Sequence, residues 1–224
     1  MSYPSRAALL LSGGMDSTTL LWWMRSKRIS EIHTIAIDYG QRHRMELACS
    51  RDLSKMAGAA SHRVLCLDLQ QIGGSPLTDN DLTVPAADDK QQINTVVPYR
   101  NMLFVTLAAA WAETQAIQDL YLSPVKDDFT AYRDCRRVFY NALEGALGLG
   151  ATRQTDFRVH TPFVNKWKAE VVSIGQQLQV PYAHTHTCYE GIRPACGRCD
   201  ACTERLEAFR QNGIPDPLPY ADVP

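Results

Sequence analysis

Short apolar runs alternate with amphipathic ones along most of this chain. Residues 7–11 (Ala-Ala-Leu-Leu-Leu) are too few for a helix and predict a buried strand. Residues 18–28 follow with Leu20, Leu21 and Met24 at helical spacing. The alternation then repeats, with a strand over 32–37, a helix over 45–57 and a strand over 63–67. Residues 102–115 are apolar at every position up to Ala112 except Thr106, which predicts a well-buried helix. A strand over 119–122, a helix over 137–147, a strand over 158–161 and a helix over 166–179 complete the series. Val180-Pro181 stops that helix, because the residue before a proline is pushed out of the α region. Between the third strand and the next helix, residues 70–97 are rich in Asp, Gly, Pro and Gln and have little periodicity, which marks a functional or a disordered loop.

Strand–helix alternation of this kind predicts an α/β fold: a Rossmann-like, doubly wound parallel sheet with helices on both faces. Ligands then bind at the carboxyl ends of the strands. The expected division is a main domain over 1–183 and a small C-terminal segment over 184–224 packed on it. A chain of 224 residues with 45% hydrophobic content can bury one full core. Its net charge of -1, from 23 basic and 24 acidic residues, argues against a dedicated nucleic-acid binder. No apolar run approaches membrane-spanning length, so no membrane association is expected. Met-Ser-Tyr-Pro-Ser-Arg leads directly into the first strand, so no signal peptide is expected either. A reducing, cytoplasmic compartment follows, where the seven cysteines serve as thiols or metal ligands rather than disulfides.

The richest chemistry lies where the first strand meets the first helix: Leu11-Ser12-Gly13-Gly14-Met15-Asp16-Ser17. Two glycines let the chain turn tightly, so successive N–H groups can face one anion. Ser12 and Ser17 add hydroxyls, and the helix brings its positive end to the same place. There is no P-loop lysine and no dinucleotide-type glycine spacing. The segment resembles the PP-loop of the ATP pyrophosphatases, which transfer AMP to a substrate oxygen and release pyrophosphate. Asp16 is a candidate magnesium ligand or loop-ordering residue, with capping of the following helix as the alternative.

A second signal lies near the C-terminus. Cys188, Cys196, Cys199 and Cys202 fall within fifteen residues, and Gly197 allows a tight knuckle. Thiolates in overlapping C-x-x-C steps can reach one tetrahedral ion. C-x2-C-x2-C is also cluster-like spacing, but no further x3-Cys-Pro follows; Thr203-Glu204-Arg205 opens a polar helix instead. Zinc is therefore expected, in a structural role, since four Cys ligands leave no open position.

Taken with Asp38-Tyr39-Gly40-Gln41-Arg42-His43, Val97-Pro98-Tyr99-Arg100-Asn101, Tyr132-Arg133-Asp134-Cys135-Arg136, Thr161-Pro162 and Lys168-Ala169-Glu170, these motifs resemble the 7-cyano-7-deazaguanine synthase (QueC) family across nearly the whole chain. The resemblance implies a homodimer with structural zinc that converts 7-carboxy-7-deazaguanine, ammonia and ATP with Mg2+ to the nitrile. On that basis Leu11, Ser12, Gly13, Gly14, Met15, Asp16, Ser17, Asp38 and Arg100 are candidates for ATP binding. Ser12, Asp16, Ser17 and Lys168 are the candidate catalytic residues, with Lys168 and Arg100 set against phosphate charge. Gln41, Tyr99, Tyr132, Asp134 and Arg136 are the substrate candidates: Tyr132 to stack on the base, Asp134 to accept from its N–H edge and Arg136 to hold its carboxylate. Gln41, Arg42 and His43 are also placed to contact nucleotide or ammonia.

The chain departs from the family pattern at three points. Tyr99 stands in place of the Gly of Val-Pro-Gly-Arg-Asn. Ala131 replaces a second glycine, and Thr185-His186-Thr187-Cys188 replaces Thr-Trp-Ser-Cys. The two lost glycines predict added bulk beside the substrate pocket. An alternative is therefore a paralogue that stops at an amide or joins the activated carboxylate to another amine, such as one on a protein. A further alternative is a zinc-knuckle RNA-binding or tRNA-modifying protein of the PP-loop type.

Overall fold

The computed structural model describes residues 3–89, 95–153 and 156–221. Residues 90–94 of the long loop, and 222–224 of the C-terminal segment, lie outside them. Five strands form one sheet: β1 (Arg6–Leu10), β2 (Glu31–Asp38), β3 (Ser61–Cys66), β4 (Asp119–Tyr121) and β5 (Arg158–His160). All pairings are parallel, in the order β3-β2-β1-β4-β5. The helices are α1 (Met15–Ser26), α2 (Met45–Met56), α3 (Arg100–Thr114), α4 (Arg137–Gly150), α5 (Lys168–Gln177) and α6 (Asp200–Gln211).

The period-2 geometry of β1 divides the core in two. Ala7, Leu9 and Leu11 pack against Leu20, Leu21 and Met24 of α1 and Val171 of α5. Ala8 faces the opposite layer, with Val105, Ala108 and Ala112 of α3 and Tyr140 and Leu143 of α4. On β2, Ile32 joins the α1 layer, while Ile35 and Ile37 join the α3 layer. At β1 and β2 both faces of the sheet are thus covered, whereas the edge strand β3 has no fully buried residue. From β1 the chain winds to β2 and β3 on one side, then returns to place β4 and β5 on the other. The order therefore reverses between β1 and β4, which opens a crevice at their carboxyl ends.

Helix α1 begins at Met15, three residues ahead of the expected start, because the loop residues themselves form its first turn. Short 3-10 turns at Gln70–Ile72, Lys126–Phe129, Arg133–Cys135 and Tyr182–His184 lie in stretches without sequence periodicity. The described part of the 70–97 stretch is packed down. Val84 lies on the four clustered cysteines, and the Ala87 N–H donates to the Arg198 carbonyl at 2.9 Å. The Arg42 guanidinium holds the same stretch through the carbonyls of Asp79 and Leu82.

The C-terminal segment is tied to the site. Helix α6 packs on α5, and α5 on α1. Arg205 of α6 is fully buried and forms a two-pronged pair with Asp216 at 2.6 and 2.9 Å. It also donates to Thr185 Oγ1 at 2.6 Å and to the Tyr182 carbonyl at 3.2 Å. The same strip reaches the first loop, where the His186 N–H donates to the Gly13 carbonyl at 2.9 Å. Among the described residues no helix is long and apolar enough to cross a membrane.

Candidate active site and metal centre

The crevice holds a cavity of about 320 Å3, within the usual range for small-molecule sites. One end is the loop after β1. Gly13 takes φ +88°, and Gly14 caps α1 without a side-chain bond. The Ser12 N–H donates to Ser17 Oγ at 3.2 Å, the two hydroxyl oxygens are 3.0 Å apart, and the Gly14 N–H donates to Ser12 Oγ at 3.2 Å. The N–H groups of Met15, Asp16 and Ser17 find no acceptor among the described residues. A ring of hydroxyls and a set of orphan helix N–H groups therefore open on one cavity, which is the equipment of an anion cradle.

Beside the cradle sits an acidic group around one lysine. Lys168 is buried at the start of α5, 2.8 Å from Glu204 and 3.3 Å from Asp128. Its own N–H donates to Asp127 at 2.7 Å. Asp16 Oδ1 is shielded from solvent and has no hydrogen-bond partner. Burial pushes the Asp16 carboxyl up to about 7, against the pull of Lys168 and with the help of Asp128, Glu204 and Asp127. Asp16, Asp128 and Glu204 thus face a single Lys168 across the cavity wall. The arrangement suits a divalent cation, whose charge would return Asp16 to its ionised form.

The far end is walled by Tyr39, His43, Glu46, Arg100, Phe104, Tyr132, His186 and Tyr189. Burial pushes Glu46 up to about 8, although Gln41 donates to it at 2.9 Å and Arg100 is nearby. Burial, with Arg100 next in effect, takes His43 down to about 3. His186 is also lowered by burial, and neither of its ring nitrogens has a partner. The guanidinium of Arg100 lies 5.6 Å from the Tyr132 ring centroid.

Away from the cavity, the sulfurs of Cys188, Cys196, Cys199 and Cys202 lie within 4.8 Å of one another, and all four residues are buried. A tetrahedral ion with metal–sulfur bonds of about 2.3 Å spaces its sulfurs about 3.8 Å apart. The Cys196–Cys202 separation is 3.9 Å. The N–H groups of Cys196 and Cys199 donate to the sulfurs of Cys188 and Cys196, each at 3.4 Å, as thiolates invite. These sulfurs fit one metal ion, and a cluster interposed between them would hold them further apart.

The model of the family described as queuosine biosynthesis protein QueC matches residues 6–213. The chain belongs to the QueC family. The 7-cyano-7-deazaguanine synthase of Clostridium kluyveri is 40% identical over 221 residues, covering 96% of this chain and 97% of that protein. The namesake enzyme of an Anaeromyxobacter species is 43% identical, covering 96% of each. Two solved structures share the fold: an NMN synthetase from Francisella tularensis, with a TM-score of 0.52 at 14% identity over 94% of this chain and 78% of that one; and the U34-tRNA thiolase NcsA from Methanococcus maripaludis, with a TM-score of 0.53 at 12% identity over 92% and 66%.

Within this QueC chain the residues singled out from sequence divide into two groups. Leu11, Ser12, Gly14, Met15, Asp16, Ser17, Arg100, Tyr132 and Lys168 line the cavity, and Gly13 supports the loop from behind. Asp38, Gln41, Tyr99, Asp134 and Arg136 do not line it. Asp38 pairs with Arg44 and accepts from the Gly40 N–H. Gln41 is spent on Tyr39, Ile37 and Glu46, so it orients Glu46 instead. Asp134 accepts from the Asn101 N–H at 3.4 Å at the start of α3. Arg136 precedes α4 and donates to the Phe129 carbonyl at 3.0 Å. Tyr99 is 73% exposed and takes φ 56°, a conformation that suits glycine, so its bulk points away from the cavity. Ala131 does line it. Capping by Asp16 is not observed.

Glu46, Glu204 and Tyr189 were not singled out from sequence. Each sits just beyond a quoted motif, Glu46 three residues after His43, Tyr189 next to Cys188 and Glu204 two residues after Cys202, and only the fold shows that it faces the cavity.

Proposed function

We propose that this chain is a 7-cyano-7-deazaguanine synthase. It is an ATP-dependent carbon–nitrogen ligase that acts on 7-carboxy-7-deazaguanine and ammonia and releases AMP and pyrophosphate. The observation that carries this reading is the cradle of orphan N–H groups opening beside Asp16 and Lys168. Relatives of that name at about 40% identity over nearly the full length support it.

A carboxylate resists attack by ammonia because it has no good leaving group. Transfer of AMP to its oxygen supplies one. Ammonia then adds to the acyl carbon, AMP departs, and an amide remains. A second ATP activates the amide oxygen, and its loss with AMP yields the nitrile. The N–H groups of the loop and the hydroxyls of Ser12 and Ser17 hold the pyrophosphate as charge develops on it. Lys168 adds a fixed cation beside it. Mg2+ arriving with ATP would neutralise phosphate charge, and Asp16, with Asp128 beside it, would hold it. Tyr132 offers a ring face for the base. Zn2+ bound by the four cysteines is structural. A cytoplasmic homodimer, with residues 1–183 as the catalytic domain and 184–224 as its zinc-binding segment, completes the reading.

The test supplies purified protein with ATP, Mg2+, ammonia and 7-carboxy-7-deazaguanine, and follows products by mass. AMP, pyrophosphate and the nitrile are expected. Steady ADP formation would overturn the assignment, and amide as the sole product would indicate a paralogue.

A further inference from the structure

We infer that Arg100 is the counter-ion of the substrate's carboxylate, which places the base at the aromatic end of the cavity. The inference rests on the proposed substrate and goes beyond it by choosing the cation. Two arginines compete for the role. Arg136 is turned away, its guanidinium bonded to the Phe129 carbonyl beside α4. Arg100 stands in the cavity wall. Among the described residues no carboxylate forms an ion pair with it. Glu46 shares the wall, but its oxygens are engaged by Gln41 at 2.9 Å and approached by His43 at 3.6 Å.

The surroundings of Arg100 are aromatic rather than acidic. Its guanidinium lies over Tyr132, with Tyr39 and Tyr189 on the same wall. The Tyr132 hydroxyl is held by Thr95 at 3.0 Å and lies 3.5 Å from the Tyr189 hydroxyl. Arg100 also donates a hydrogen bond to the Tyr39 hydroxyl, and a cation partnered by ring faces and a neutral hydroxyl, with no acid attached, keeps its charge available for an incoming anion. Its planar fork matches a carboxylate by two parallel hydrogen bonds, while the ring it covers extends the stacking surface for a flat base. The phosphate end already has its own donors in the 12–17 loop and its own cation in Lys168. Arg100 is therefore free to mark where the reacting carboxylate lies.

The experiment is calorimetry with three ligands: ATP, 7-carboxy-7-deazaguanine, and the same base bearing a neutral carboxamide. The wild type is expected to prefer the carboxylate over the amide by about 10–100-fold, the value of a charge-assisted pair. Arg100→Met should lose that preference and keep ATP affinity. Arg100→Lys, which keeps the charge without the fork, should retain part of it. Retained ATP binding also shows that the variants are folded. An unchanged preference in either folded variant, or loss of ATP affinity with the preference intact, would overturn the inference while leaving the substrate assignment standing. A wild type that binds ATP but neither base would remove the substrate assignment and this inference together. A wild type that binds both bases equally would overturn the inference without any variant.

Discussion

Gly13 and Gly14 are adjacent in sequence and do different work. A Cβ on Gly13 would stand 2.4 Å from the Glu46 carbonyl oxygen and 2.8 Å from the Ser50 nitrogen, both α2 backbone. Gly14 has ordinary φ, and its Cβ would meet only Ser12 Oγ at 3.2 Å and the His186 carbonyl at 3.7 Å. Gly13→Ala is expected to destabilise by about 1–3 kcal/mol in urea, because a helix must shift. Gly14→Val should unfold near the wild-type midpoint yet lose AMP formation by on the order of a hundredfold, because it displaces phosphate from the cradle. Equal loss of stability in both would refute the distinction. Asp16 makes a pH prediction at the same scale. Its carboxyl titrates near 3.8 when unfolded and about 7 when folded without a cation. Between those values the folded chain keeps a proton that the unfolded chain has lost. Stability from this group therefore falls as pH rises through the window and is level above it. Urea titrations of wild type and Asp16→Asn without Mg2+ should show the wild type losing ground to the variant from about pH 4 to 7. A constant difference would show that the carboxyl is not buried in this way.

The elements were largely legible because both faces of the central strands are buried. Ala7 to Leu11 had to be apolar throughout, and the helices had to carry apolar stripes. What escaped was direction. Tyr132, Asp134 and Arg136 sit on one motif, yet a 3-10 turn over Arg133–Cys135 separates their side chains, and only Tyr132 reaches the cavity. Arg205 was legible only as the start of a polar helix, although it is fully buried and joins α6 to the strip after α5. Arg205→Ala leaves Asp216 buried without its partner and should cost about 3–5 kcal/mol by chemical denaturation. Replacing both, as Arg205→Met with Asp216→Leu, should recover a substantial part, since the desolvation cost disappears along with the pair. If the single substitution were as mild as a surface change, this pair would not be the anchor of the helix.

At the scale of the whole molecule the candidate metal centre and the cavity are joined through α6. Cys199 precedes that helix and Cys202 lies in its first turn. Asp200, Ala201 and Glu204, from the same turns, line the cavity, and Glu204 holds Lys168 at 2.8 Å. The knuckle also carries Val84 and the Ala87–Arg198 contact of the long loop. Removing the ion would leave four crowded sulfurs without their common partner and loosen both attachments. One Zn2+ per chain is therefore expected by elemental analysis, and a chelator should lower the thermal midpoint, because binding energy at a closed site is folding energy. The loss should extend past the knuckle: freed from Glu204, Lys168 should hold ATP less well before global unfolding sets in. Calorimetry with ATP on metal-depleted protein below its midpoint, repeated after Zn2+ is returned, reads this directly. Metal-depleted protein with full ATP affinity would show the knuckle to be a staple with no reach into the site. Iron with sulfide in place of zinc would contradict the 3.9 Å approach of Cys196 and Cys202.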